Sequence, residues 1–261
     1  MLAAERHSKI LEQLKAEQSV TVSQLSLALD VSEVTIRKDL IKLENDGLLT
    51  RIHGGATITN FLPLERSFTE KLEERSEEKQ AIAHQALSHI QPGDTVILGA
   101  GTTMMELAKL LRGLNDLTVV TNAVNIAMEL NSQGKHHVIL IGGEMRHKSF
   151  ALVGSVAADN LRGLSVFKCF IGADGVHPEN GLTTLNLAEA QINQVMMERA
   201  RKVYVLADHS KFGETHLAKF AGLSEVDRII TDAAAQHLVG KYAELGINLE
   251  LASSSLQGVT R

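Results

Sequence analysis

The sequence predicts an α/β protein in two parts, a small winged helix-turn-helix at the N-terminus joined to a larger α/β unit. Three observations carry this. Helical segments flank a turn at Asp30-Val31, and a Gly-ended hairpin signal follows at Thr50-Arg51-Ile52-His53-Gly54-Gly55. From about residue 77 onward, short apolar runs alternate with helical stretches, the pattern of a largely parallel sheet with helices between its strands. Finally, 261 residues at 44% hydrophobic content are enough for a small module plus a full α/β core.

Composition excludes several classes. A net charge of −5 argues against a protein that coats nucleic acid through bulk charge, although cations clustered on one face can still serve an acidic chain. The single cysteine, Cys169, rules out an internal disulfide and a cysteine-based zinc cage. No metal site and no cofactor are expected. No apolar run approaches the ~18 residues of a membrane span. The N-terminus lacks a basic-then-apolar leader. The expectation is a soluble, cytoplasmic protein with no membrane partner.

The first part spans residues 1–57. Ile10, Leu11 and Leu14 recur at helical spacing among charged residues, which predicts a helix over about 5–17. Thr21 can cap a second helix carrying Val22, Leu25 and Leu29 on one face. Ser32 is a good cap for the third, and Glu33 suits the positive end of its dipole. Ile36, Leu40 and Leu43 point to the core, which turns Val34, Thr35, Arg37, Lys38, Ile41 and Lys42 partly or wholly outward. Asn45-Asp46-Gly47 ends this helix with a residue free to adopt positive φ.

In a winged helix-turn-helix the third helix enters the major groove of DNA, its N-terminal half nearest the base edges. Ser32, Val34, Thr35, Arg37, Lys38 and Lys42 are the candidates on that helix, and Arg51 and His53 those on the wing. A hydroxyl or guanidinium reaches bases, whereas Arg and Lys also grip phosphate. The plain alternative is a helical bundle with a solvated basic face. Residues 1–57 hold seven basic against eight acidic residues. A single copy should therefore bind weakly, and two or more copies are expected on double-stranded operator DNA.

Residues 58–76 read as a linker: Phe61, Leu62 and Pro63, then a charged run without a sustained apolar stripe. Ser76 is placed as the cap of the next helix, on which Ile82, Ala86 and Ile90 lie four apart. The second part, residues 77–261, is predicted to carry strands over 95–98, 118–121, 137–141, 166–171, 202–206, 228–231 and 247–251.

Ligands of such folds sit beyond the carboxyl ends of the strands, and the polar motifs fall there. Gly99-Ala100-Gly101-Thr102-Thr103 precedes a helix, where glycines and free amides suit an anion. Thr121-Asn122, Gly142-Gly143-Glu144, Gly172-Ala173-Asp174-Gly175-Val176 and Ala207-Asp208-His209-Ser210-Lys211 follow other strands. Lys211 is a natural partner for phosphate, and Asp174, Asp208 and Asn122 for sugar hydroxyls. Each motif also has an ordinary reading as a turn or cap.

The segment V-S-E-V-T-I-R-K-D-L-I-K-L-E-N-D-G-L-L-T-R-I-H-G-G-A resembles the signature of the DeoR family of bacterial sugar-operon regulators nearly throughout. The likeness continues through G-T-T, T-N, G-G, G-A-D-G-V, G-L-T-T and D-H-S-K-F-G, and so covers most of the chain. It implies a transcription factor, usually a repressor, released by a phosphorylated sugar. Its sensor domain looks like the fold of ribose-5-phosphate isomerase. The family's effector site, carried over by position, comprises Gly101, Thr102, Thr103, Thr121, Asn122, Gly142, Gly143, Asp174, Gly175 and Lys211. Relatives commonly have Asp at the position of Gly99, also within this site, and Lys at that of Asn193. These departures bear on one sugar-hydroxyl contact and one positive charge.

The favoured reading is a homo-oligomeric, non-enzymatic repressor. The rival is a sugar-phosphate isomerase with a DNA-binding appendage, in which Asp174 or Glu189 is the base and Lys211 the phosphate anchor. An activator built on the same module stays open.

Overall fold

The computed structural model describes residues 3–17, 19–46, 48–52, 54–57 and 65–253. The chain divides into two compact units, Met1–Glu65 and Arg66–Arg261.

The first unit contains α1 (Ala3–Glu17), β1 (Ser19–Thr21), α2 (Val22–Leu29), α3 (Glu33–Asn45), β2 (Thr50–Ile52) and β3 (Gly55–Thr57). Thr21 caps α2 reciprocally with Gln24, the arrangement that satisfies two helix-end donors at once. Asp30 closes α2 in the left-handed region at φ 51°. Ser32 opens α3 by accepting from the Thr35 amide at 3.3 Å. Ile10, Leu14, Leu25, Ile36, Leu40 and Leu43 meet in one fully buried cluster. The wing is a three-stranded antiparallel sheet in the order β1-β3-β2. The third strand, β1, was not evident from sequence, because three residues are too few to display alternation. Gly47, expected to end α3, lies outside the described residues.

The second unit begins with α4 (Phe68–Leu72) and α5 (Ser76–Leu87), then β4 (Thr95–Leu98), α6 (Thr102–Leu111), β5 (Thr118–Thr121), α7 (Val124–Asn131) and β6 (His137–Leu140). A small hairpin of β7 (Glu144–Met145) and β8 (Leu152–Val153) leads to α8 (Ser155–Arg162) and β9 (Val166–Gly172). Next come β10 (Gly175–His177), β11 (Gly181–Thr184), α9 (Leu187–Glu198), β12 (Ala200–Leu206), β13 (Ala218–Ala221), β14 (Arg228–Thr231), α10 (Val239–Glu244) and β15 (Leu249–Leu251).

Seven of these strands form one sheet in the order β15-β14-β12-β9-β4-β5-β6, parallel throughout. All seven predicted strands are present, with ends within two residues of those expected. Side chains alternate between the faces. Ile97, Cys169, Ile171, Val203 and Val205 join the core beneath α8, α9 and α10, while Val96, Leu98, Phe170, Tyr204 and Leu206 join that beneath α5, α6 and α7. Cys169 is sealed in the centre, and burial drives its thiol far above the ordinary range.

The chain starts at β4, runs outward through β5 and β6, returns to β9 beside β4, and leaves in the other direction through β12, β14 and β15. The order reverses between β4 and β9. Helices diverge on either side of such a point, and it is there that open α/β sheets leave a crevice for ligand. A second, antiparallel sheet, β10-β11-β13, was not foreseen. Its strands of three and four residues fall among glycines and threonines read as loop ends.

The stretch read as a linker holds more than a connector. Residues 58–64, with Phe61, Leu62 and Pro63, lie outside the described residues. Beyond them Ser67 and Glu70 cap each other's ends of a first turn and so start α4. Ser76 is the first residue of α5 and not its cap; that position belongs to Arg75, in the left-handed region at φ 48°.

Candidate nucleic-acid interface and ligand site

On α3 the apolar stripe Ile36, Leu40 and Leu43 is buried, which leaves Val34, Arg37, Lys38, Ile41 and Lys42 exposed. A helix repeats every 3.6 residues, so Val34, Arg37, Lys38 and Ile41 share one face. Thr35 is half-buried, and its hydroxyl lies 2.9 Å from that of the exposed Ser32. Arg37 is paired with Glu33 one turn earlier at 2.9 Å, and the other oxygen of Glu33 accepts from Ser23 at 2.9 Å.

What fixes the rotation of α3 includes a residue that sequence reasoning passed over. Asp39 is buried and accepts from Arg6 Nε at 2.5 Å and Nη2 at 3.1 Å, with His7 Nε2 at 2.9 Å. Burial would raise the carboxyl's pKa, but hydrogen bonds from Arg6 and His7 and the Arg6 charge hold it below the usual range. In sequence Asp39 is one more charge among charges. The clue was its place one residue before Leu40, on the inner edge of the helix.

On the wing, Glu44 of α3 takes both the backbone amide of Arg51, at 2.9 Å, and its Nε, at 2.7 Å. These bonds lower the Glu44 pKa and tie β2 to α3. Arg51 stays exposed. His53 lies outside the described residues.

In the second unit, four neighbouring strands bring the other predicted groups to one end of the sheet. Gly99 to Thr103 follow β4, Thr121 and Asn122 close β5, Asp174 and Gly175 follow β9, and Lys211 follows β12. Gly101 heads α6 at φ 138°, a conformation that needs glycine. Gly99 has no such need: a Cβ there would meet Ile171 Cβ at 3.5 Å and Phe170 O at 3.6 Å, ordinary contact. Thr102 is buried and Thr103 half-buried in the first turn of α6.

Other residues have structural duties. Thr121 Oγ1 accepts from the Ala123 amide at 3.1 Å. Asn122 donates to Leu152 O at 3.1 Å, while its buried Oδ1 has no partner among the described residues. A Cβ on Gly143 would stand 2.6 Å from Val153 O, and one on Gly175 2.5 Å from Glu214 O. Both glycines thus admit a neighbouring backbone. Gly142 donates to Asn160 Oδ1 at 3.2 Å. Gly142 and Gly143 follow β6, two strands from β4 and so roughly 10 Å from the reversal point.

Asp174 is the best-connected polar group at this end. It accepts from Thr184 Oγ1 at 2.8 Å and the Leu185 amide at 3.3 Å, and pairs with Lys71 at 3.0 Å. Burial pushes its pKa up, yet Lys71, these hydrogen bonds and Lys211 outweigh it and hold the carboxyl below the usual range. The buried Asp208 accepts from Ser210 and lies 3.7 Å from Arg75 Nε. Lys79, also buried, donates to the carbonyls of Lys71 and Glu74. Burial and the nearby Lys211 charge lower its pKa. Sequence reasoning missed Lys71, Arg75 and Lys79; the signal was their spacing of four within a run that looked uniformly solvated. Glu189 is held by Arg146 at 3.0 Å and Ser149 at 2.5 Å.

Family comparisons agree with this anatomy. A DeoR-like helix-turn-helix domain matches residues 6–60, and a DeoR C terminal sensor domain matches residues 74–233. The chain belongs to the DeoR family. It is 34% identical over 253 residues to the HTH-type transcriptional regulator GolR of Listeria innocua, covering 97% of this chain and all of that one. It is 38% identical over 238 residues to the lactose phosphotransferase system repressor of Lactococcus lactis, covering 89% and 93% of the two chains. Among solved structures, ribose 5-phosphate isomerase A from Neisseria gonorrhoeae aligns with 64% of each chain at TM-score 0.38 and 15% identity. This DeoR-family chain is a DNA-binding transcriptional regulator, as the resemblance implied. Among its described residues no helix is long and apolar enough to cross a membrane.

Proposed function

We propose that this regulator is a cytoplasmic, homo-oligomeric repressor of a carbohydrate-utilisation operon. It grips operator DNA through α3 and releases it when a phosphorylated sugar occupies the carboxyl end of the large sheet. The supporting observation is the division of α3: Asp39 is anchored inward by Arg6 and His7 while Arg37 and Lys38 project outward. With seven basic against eight acidic residues in positions 1–57, one module has little general attraction for phosphate. Paired modules on successive turns of a duplex supply the missing affinity.

A ligand moves such an equilibrium only through its differential affinity for the bound and released forms. Cations at the ends of β9 and β12, and the sugar-related names of relatives such as the lactose phosphotransferase repressor, favour a phosphorylated sugar. The same geometry disfavours an enzyme. Asp174 is a stabilised anion and Glu189 is engaged by Arg146 and Ser149, whereas a general base works best near the ambient pH.

The test uses a duplex enriched from a random pool by the full-length protein. Gel-shift titration should give a discrete complex that selected pentose or hexose phosphates dissociate, with no turnover of those sugars. Absence of selective DNA binding would refute the repressor; conversion of a sugar phosphate would restore the isomerase reading.

A further inference from the structure

The chain reaches the large sheet through α4 and the turn to α5, and this segment carries Lys71, Arg75 and Lys79 to the same end as Asp174, Asp208 and Lys211. Lys71, Arg75, Lys79 and Lys211 stand around Asp174 and Asp208, with Glu74 and Glu106 also within electrostatic range of Lys79. A phosphate monoester carries about −1.5 to −2 at pH 7 and offers three strong acceptor oxygens.

The three connector cations are not equivalent. Lys79 is buried and fixed on two carbonyls, one of them that of Lys71, so it holds the end of α4. Lys71 and Arg75 keep 30% and 42% of their side-chain surface, enough freedom to re-aim. No residue of α4 is fully buried. Its other attachments include the Phe68 amide on Lys148 O at 2.6 Å, the edge-on packing of Phe68 against Phe150, and the half-buried Phe68 ring against the core beneath α5, α6 and α7. An element with so little buried apolar surface opens readily, and its position is set by polar contacts. Arg75, in the left-handed region, is the joint between α4 and α5.

We propose that the connector completes the anion site: Lys71 and Arg75 exchange Asp174 and Asp208 for the phosphate oxygens of the ligand, beside Lys211. Occupancy is thereby read by the first helix after the tether to the DNA-binding unit. This rests on the sugar-phosphate reading and adds the residues that sense the phosphate. Asp174 and Asp208, once released, are free to accept sugar hydroxyls. Two buried polar atoms without partners among the described residues, Asn122 Oδ1 after β5 and Oγ1 of Thr231, the last residue of β14, lie at this end of the sheet and suit a hydroxyl-rich ligand.

The experiment takes the full-length protein with ribose 5-phosphate, fructose 6-phosphate and inorganic phosphate as probes, read by thermal shift. Wild type should be stabilised by at least one of the two sugar phosphates. Lys71→Met and Arg75→Gln should each need tenfold or more of that probe for the same shift, and Lys71→Arg should recover most of the response. Amide hydrogen exchange of residues 67–75 in the wild type should change when the probe is added, a readout that needs no variant to fold. If both connector variants respond like wild type while Lys211→Met does not, or if exchange in 67–75 stays unchanged, the connector is excluded and the sugar-phosphate reading survives. If wild type responds to none of the probes, that reading falls and takes the connector's role with it.

Discussion

Replacing Glu33 with Gln and Arg37 with Ala should move DNA affinity in opposite directions. In the free protein the Arg37 guanidinium rests on Glu33, with 61% and 45% of the two side chains exposed. A pair this exposed, four apart on a helix, contributes about 0.3–0.5 kcal/mol. Arg37 must leave it to reach a base edge, where a bidentate contact is worth about 1–3 kcal/mol. The net gain is roughly 0.6–2.6 kcal/mol per half-site, or about 1–5 kcal/mol for a two-fold complex, taking tenfold per ~1.4 kcal/mol. Arg37→Ala should therefore weaken binding by roughly five-fold to a few thousand-fold. Glu33→Gln keeps an acceptor for Ser23 but frees Arg37 beforehand, and should tighten binding about two-fold per half-site. Fluorescence anisotropy on the enriched duplex, between 50 and 200 mM salt, measures both. Lys38→Ala should instead lower the log–log salt slope by about one per copy if Lys38 holds phosphate. An Arg37→Ala protein that folds and binds as tightly as wild type, or a Glu33→Gln protein that binds more weakly, refutes the reasoning.

Other tests address the scaffold. Leu40→Ala removes a side chain only 1% exposed and should cost about 2–5 kcal/mol, so that calorimetry finds the first unit melting earlier and the second unmoved. The folded pKa of Asp39 lies below its unfolded value of about 3.9, so its contribution is complete above pH ~4 and is lost as pH falls through the folded value. Circular-dichroism melts between pH 6 and 2.5 should show this loss in wild type and a flatter profile in Asp39→Asn. Gly55→Ala would place a Cβ 2.1 Å from Val20 O and should disrupt the wing, whereas Gly99→Ala makes only ordinary contacts and should leave the melting temperature within about 2 °C.

Legibility followed the length scale of each pattern. The strands of the large sheet are runs of Val, Ile and Leu long enough to stand out between turn signals, as in Thr95–Leu98 and Thr118–Thr121. Ser32, Ile36, Leu40 and Leu43 announced α3 through a cap and a regular stripe. Lys71 could not be read the same way, because its partner Asp174 lies 103 residues on and only folding joins them. Surrounded by Glu65, Glu70, Glu73 and Glu74, it looked like one more solvated charge. The small sheet of β10, β11 and β13 was hidden because its strands, GVH, GLTT and AKFA, are rich in Gly, Thr and Ala, with a Lys, and hold no run of Val, Ile and Leu.

The sealed position of Cys169 has a practical corollary. No other cysteine exists in the chain, and this one is unreachable by maleimides or mild oxidants while the sheet is folded. The native protein therefore behaves as a thiol-free background, and a cysteine introduced at an exposed position such as Thr69 of α4 can be labelled selectively. A dye there would report whether α4 moves when a sugar phosphate is added, without prior removal of native thiols.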